Sequence, residues 1–191
     1  SIHDLSLGSN ELKTSCSMDR KIYVLGSGHN HPEHPDVVRC DILPGHGVDM
    51  VFDLDVIPWP IADGAAMEVN ASHIMEHLKN PCRFMDELWR ITYPGGQVYI
   101  ETPDAANFDL AWCDPTHKRP FRLHTFLNYF TVIGVHRLPT VKHGWEFPYL
   151  HSDGNVIKAL MVPLSDEFLT NETLARLTEQ RRVERERQYG I

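Results

Sequence analysis

Short apolar runs separated by turn residues recur along the first half of the chain. Residues 21–25 (KIYVL) form one such run and end in Gly-Ser-Gly. A buried strand entering a glycine turn has this form. Residues 37–42 (VVRCDI) and 48–54 (VDMVFDL) predict a second and a third strand, with acids at or near the end of each. Pro58-Trp59-Pro60 then interrupts regular structure. A fourth strand falls on 67–72 (MEVNAS), and a helix opens over 73–78. A second helix covers 81–92, where Phe84, Leu88 and Ile91 recur at spacings of four and three and mark one apolar face. Pro94-Gly95-Gly96 stops it, and 97–102 (QVYIET) reads as a fifth strand.

This alternation of strand and helix predicts an α/β fold, a mostly parallel sheet covered on both faces. A long irregular stretch follows at 103–121, rich in Asp, Pro and aromatic residues. Loops of that length in compact domains tend to be functional. A short helix is expected at 124–130, and 135–147 with 155–162 can pair as an antiparallel hairpin turning near 151–154. From 165 to 189 the pattern is helical, capped by Ser165 or Asp166, and its last part is almost wholly charged. The expected organisation is an N-terminal arm (1–20), one domain (21–164) and a C-terminal helix (165–191).

Composition narrows the function classes. The 191 residues are 42% hydrophobic and carry a formal net charge of -8, so general attraction to nucleic acid is not expected. Cys16, Cys40, Cys82 and Cys113 form no C-x-x-C and are read as reduced thiols. No apolar run reaches the length of a membrane span, and the N-terminus lacks a signal-peptide pattern. A cytoplasmic protein is the expectation. His29, His31 and His34 cluster at no specific ligand spacing and are read as solvated loop residues.

An open parallel sheet that binds a nucleoside needs glycines after its first strand and a carboxylate at the end of its second. Gly26, Ser27 and Gly28 supply the turn, and Asp41 the carboxylate. Asp53 and Leu54 stand where an adenine-edge acceptor and an apolar wall belong. His31 occupies the last glycine position of G-x-G-x-x-G, and Asp41 follows Gly28 by only 13 residues, which argues against a dinucleotide site. The intervening HNHPEHPD holds two prolines, so the first crossover is predicted to be a loop. On these residues alone, the glycines could equally do no more than end a strand.

The segments LGSG (25–28), CDI (40–42), GVDMVFDLD (47–55), IPWP (57–60), ASHIMEHL (71–78), FMDELWRITYPGG (84–96) and DPTHKRPF (114–121) fall in one order. In that order the chain resembles class I S-adenosylmethionine-dependent methyltransferases, in a compact subgroup with a shortened first crossover. The resemblance implies a Rossmann-like, doubly wound, mostly parallel seven-stranded sheet ending in an antiparallel hairpin. It also implies S-adenosylmethionine as cofactor. By position, Gly26, Ser27 and Gly28 would meet the methionine and ribose, and Asp41 the ribose hydroxyls, with Ile42 beside the adenine. Asp53 and Leu54 would face the adenine ring, and Ser72 and His73 would lie under the sulfonium. Asn30, Met67, and Thr92 with Tyr93 depart from the family pattern.

Methyl transfer needs alignment first, and a base only when the acceptor loses a proton early. Past the fourth strand and in the long loop, the residues of interest are His73, Glu76, His77, Asp114 and His117. His117 is the expected base, with His77 and Asp114 beside it. His73 to His77 spells H-x-x-E-H, a protease signature that here lacks its context. Some small-RNA and ubiquinone-pathway O-methyltransferases hold a divalent metal on a similar E-x-x-E-H segment, and His117 could be a distal ligand. The plainer reading makes Glu76 and His77 helix-start residues, with no metal assigned. Trp59, Trp112 and Trp145 could line an acceptor pocket or belong to the core. The expected acceptor is a small molecule, and the arginines of the C-terminal helix could form a homodimer contact. The alternative is a binding protein on the same fold with weak or no catalysis.

Overall fold

The computed structural model describes residues 20–28, 34–131 and 142–165. The expected N-terminal arm up to residue 19, the C-terminal helix past residue 165, Cys16, His29, Asn30 and His31 lie outside the described residues.

Seven strands form one sheet: β1 (Lys21–Leu25), β2 (Val37–Asp41), β3 (Met50–Val51), β4 (Ala66–Ser72), β5 (Thr92–Pro103), β6 (Trp145–Ser152) and β7 (Val156–Pro163). Their order is β3-β2-β1-β4-β5-β7-β6. β1 pairs in parallel with both β2 and β4, so the strand order reverses between β1 and β4. Ligand crevices in open α/β sheets lie outside the carboxyl ends of the strands at such a reversal. β7 runs antiparallel to both β5 and β6, the hairpin expected at the end of the sheet, but its first strand is Trp145–Ser152 rather than 135–147, of which 135–141 lie outside the described residues.

Three helices accompany the strands among the described residues: α1 (Pro81–Ile91), α2 (Phe108–Trp112) and α3 (Leu123–Tyr129). α1 begins on Asn80, whose side chain accepts from the Arg83 amide at 3.2 Å, with Pro81 in the first turn. Its apolar stripe buries Phe84, Met85, Leu88 and Ile91 against the core. Each such side chain contributes about 1.5–3 kcal/mol. Thr92 ends the helix, and its hydroxyl donates to the Leu88 carbonyl at 2.6 Å. That explains the departure at Thr92 as local packing. Tyr93 lies under the guanidinium of Arg20, 3.4 Å from the ring centre.

Several boundaries differ from those expected. β3 shrinks to two residues because 52–54 leave the sheet to line the crevice. β5 starts at Thr92 rather than 97, and Pro94-Gly95-Gly96 bulge out of it between the pairs Ala66↔Thr92 and Glu68↔Gln97. A Cβ on Gly96 would sit 2.8 Å from the Met67 carbonyl oxygen and 3.0 Å from that of Ala66, so only glycine fits. The helix expected over 73–78 is a single 3-10 turn, Met75–His77. His73 adopts φ 55, a left-handed conformation that a right-handed helix cannot contain. The stretch read as irregular contains α2, capped by Asn107, whose side chain accepts from the Leu110 amide at 3.2 Å.

β4 and β7 alternate between buried and more accessible positions. Among the described residues, one face of each of these strands is therefore more accessible than the other. Of the tryptophans considered for an acceptor pocket, Trp59 and Trp145 are buried in the core, while Trp112 is partly exposed on α2. Cys40 and Cys113 are free thiols. No described helix is long and apolar enough to cross a membrane.

Candidate functional site: the crevice at the strand-order reversal

A crevice of about 450 Å³ opens where the strand order reverses. Its lining includes Gly26 and Gly28 after β1, Asp41 and Ile42 after β2, and 52–55 after β3. Ile74, His77 and Leu78 close it after β4, and Lys118 reaches it from the long loop.

The glycine turn is shaped by φ +65 at Gly26 and φ +60 at Gly28, both left-handed. A Cβ on Gly26 would lie 1.9 Å from Ile74 Cδ1, whereas one on Gly28 would meet none of the described residues within 4 Å. Gly26 thus admits a neighbouring side chain, and Gly28 leaves open room above the backbone. The Ser27 amide donates to the Cys40 carbonyl at 3.0 Å, tying the turn to β2. Ser27 itself is buried.

Asp41 joins the two motifs. Its Oδ2 accepts from the Gly28 amide at 2.9 Å and its Oδ1 from the Leu43 amide at 3.0 Å. Each carboxylate oxygen has a further lone pair, so the group can still accept from a ligand hydroxyl. The walls beside it are Ile42, Phe52 and Leu54, a lining suited to a flat ring. Asp53 Oδ1 accepts from the Asp55 amide at 2.8 Å, and Asp55 Oδ1 from the Lys79 amide at 2.8 Å. Burial pushes the Cys40 thiol up to about 12, with Asp49 adding to the effect, so this lining sulfur stays a neutral thiol.

The wall after β3 is held from behind. Trp59 Nε1 donates to the Leu54 carbonyl at 3.1 Å, and the Trp59 amide donates to Glu87 Oε2 at 2.9 Å. Arg90 donates to both Glu87 oxygens at 2.9 and 2.7 Å, and to the Ile61 carbonyl at 2.8 Å. Burial alone would raise Glu87, but hydrogen bonds from Arg90 and from the Trp59 amide outweigh it and hold the carboxyl below its usual range.

On the opposite side, the long loop folds back on the 3-10 turn. The Lys118 amide donates to the Glu76 carbonyl at 2.8 Å, and Arg119 Nη2 to the Lys79 carbonyl at 2.6 Å. This brings the His77 and His117 rings to a centroid separation of 4.8 Å, edge to face. Asp114 does not face the crevice. Its Oδ1 accepts from the Thr116 hydroxyl at 2.6 Å and the Thr116 amide at 2.7 Å, which hold it below the ordinary carboxylate range.

Of the residues singled out from the sequence, Gly26, Gly28, Asp41, Ile42, Asp53, Leu54 and His77 line the crevice. Ser27, Ser72 and His73 are not among its lining. Ser72 Oγ donates to Asn70 Oδ1 at 3.1 Å, and His73 stands half exposed between Glu76 and Glu101. Cys40, Phe52, Asp55, Ile74, Leu78, Lys79 and Lys118 complete the lining without having been singled out for it. Asp55 carried a signal as a strand-end acid, and Lys118 as part of the DPTHKRPF segment. Ile74 carried none.

No protein-family model and no curated protein sequence matches the chain. Solved structures do match. A Bacillus halodurans protein described as a methyltransferase superposes with a TM-score of 0.53 at 15% identity, over 78% of this chain and 92% of that one. An S-adenosylmethionine-dependent methyltransferase from Mesorhizobium loti gives 0.52 at 11%, over 74% and 90%. The cyclase SpnF gives 0.51 at 11%, over 75% of each chain. Likeness at this identity speaks for architecture, and the strand order and crevice agree with it. The chain has the class I S-adenosylmethionine-dependent methyltransferase fold.

Proposed function

We propose that the crevice binds S-adenosylmethionine and that the chain transfers its methyl group to an acceptor arriving beside His77. The observation that carries this reading is the Asp41 carboxylate, set at a strand end beside the reversal and joined to the glycine turn through the Gly28 amide. In this reading Asp41 accepts from the ribose hydroxyls, and the open space over Gly28 takes the methionine side. Ile42, Phe52 and Leu54 flank the adenine, and Asp53 lies at its edge. Ser27 contributes its backbone, while Ser72 and His73 stay out of cofactor contact.

The cofactor supplies an electrophilic methyl group on a sulfonium. The chain's part is to align an acceptor with it and exclude water. The acceptor side consists of His77, the loop at 114–121 and α2. A small acceptor suits a net charge of -8 better than a nucleic acid does.

Thermal unfolding with S-adenosylmethionine and S-adenosylhomocysteine tests the reading. A ligand that binds only the folded state at 100 times its Kd stabilises by about 2.7 kcal/mol. The expected result is an upward shift in Tm with both compounds. An unchanged Tm at saturating concentration of either rejects the reading. One neighbour on this fold is named a cyclase, so the fold by itself does not require methyl transfer, and the second possibility is a binding protein with weak or no catalysis. A methyl label that stays wholly on the bound cofactor in host-cell extract would favour that alternative.

A further inference from the structure

Among the described residues, Glu76, His77 and His117 each offer a ligand atom, and these atoms lie within 4.8 Å of one another. The hydrogen bonds around them determine which lone pairs remain. Glu76 is buried, and its Oε2 accepts from the Thr102 hydroxyl at 2.9 Å. Among the described residues its Oε1 has no hydrogen-bond partner, although His73 Nδ1 lies 3.3 Å away. A buried carboxylate oxygen left in that state is costly.

The two rings are oriented through their Nδ1 atoms. His117 Nδ1 lies 2.8 Å from the Ala111 carbonyl oxygen, which can only accept, so this nitrogen carries a proton. His77 Nδ1 lies 2.9 Å from the Thr116 hydroxyl. That hydroxyl has one proton and donates it to Asp114 Oδ1 at 2.6 Å, so His77 Nδ1 must be the donor in its own contact. Both neutral rings therefore keep a bare Nε2. An imidazole whose other nitrogen donates to a carbonyl, or to a hydroxyl backed by a carboxylate, is the arrangement that orients metal-binding histidines.

We propose that Glu76, His77 and His117 form a binding site for a divalent transition-metal ion, held through one carboxylate oxygen and the two Nε2 atoms. Two imidazoles and one carboxylate suit Zn²⁺, Co²⁺, Mn²⁺ or Fe²⁺ better than Ca²⁺ or Mg²⁺. Three protein ligands leave positions open, and His77 also lines the crevice. A hydroxyl oxygen of the acceptor bound at an open position would be both placed and made more acidic. That consequence rests on the cofactor reading, whereas the cation site does not. A lone pair given to a cation is unavailable as a base, so His117 is a ligand here and not the base its position in the sequence suggested. The reading of Glu76 and His77 as plain helix-start residues gives way with it.

The test is calorimetric titration of the chelator-treated full chain with Zn²⁺, and separately with Co²⁺ followed by its visible absorption, both without cofactor. His77→Ala and His117→Ala are titrated alongside, with circular dichroism to confirm folding. One ion per chain is expected, with affinity at least about tenfold weaker in each variant. Absence of saturable binding overturns the site. So does binding that persists unchanged in His77→Ala/His117→Ala, which would place the ion on other histidines. Binding of S-adenosylhomocysteine is measured in parallel. Its failure with metal binding intact removes the proposed function and leaves the cation site standing.

Discussion

The Gly28 amide donates to Asp41 Oδ2 at 2.9 Å, so the turn after β1 and the acid after β2 form one unit. Asp41→Asn breaks that unit in a specific way. Its amide group must face either the Gly28 or the Leu43 N–H, donor against donor. Affinity for S-adenosylhomocysteine is expected to fall by about tenfold, roughly 1.4 kcal/mol, in a direct titration. Undiminished affinity would remove Asp41 from the cofactor site.

Gly26 and Gly28 share a left-handed backbone but not their surroundings. Alanine at either position costs about 1–2 kcal/mol in backbone strain. Gly26→Ala additionally drives a methyl group into Ile74, so its Tm should fall clearly further than that of Gly28→Ala. Ile74→Ala should recover part of the Gly26→Ala loss, an interaction that a double-mutant cycle in denaturant measures.

Glu87 links α1 to the loop behind the crevice through Arg90 and the Trp59 amide. Glu87→Gln is expected to lower stability by about 2 kcal/mol near neutral pH, measured by urea unfolding. The folded state holds this carboxyl below its usual range, so its stabilisation is complete above about pH 4–5 and is lost as pH falls through the lowered folded value. The gap between the wild-type chain and Glu87→Gln should therefore narrow on acidification. A gap that widens would contradict the assignment.

Thr92 caps α1 by donating to the Leu88 carbonyl at 2.6 Å from a buried position. Thr92→Val keeps the shape and removes the donor. Thermal unfolding should show a loss of about 1 kcal/mol, with cofactor binding unchanged because the residue lies away from the crevice.

The apolar runs and the turn residues between them were enough to place β1, β2, β4, β7 and α1. Burial of one side-chain stripe is written directly in the spacing of Phe84, Leu88 and Ile91. The boundaries that shifted did so for tertiary reasons. Pro94-Gly95-Gly96 looks like a stop, yet the Ala66 and Met67 carbonyls approach Gly96 closely and the strand runs on past a bulge. The helix expected from 73 fails at His73, whose positive φ redirects the chain as it leaves β4.

What the sequence by itself determined is the order of acids and glycines at strand ends. Any parallel sheet with that strand order brings Gly28, Asp41 and Leu54 to one edge, because a strand's end is fixed by where its apolar run stops. Only the tertiary structure decided how the side chains are used. Thr116 meets His77 across 39 positions and Thr102 meets Glu76 across 26, and no local pattern encodes such contacts. Protonation of an imidazole or a bare carboxylate oxygen depends on the partner the fold supplies. The glycine turn was therefore legible from its neighbours in the chain, whereas the histidine pair became a site only when the long loop closed onto the 3-10 turn.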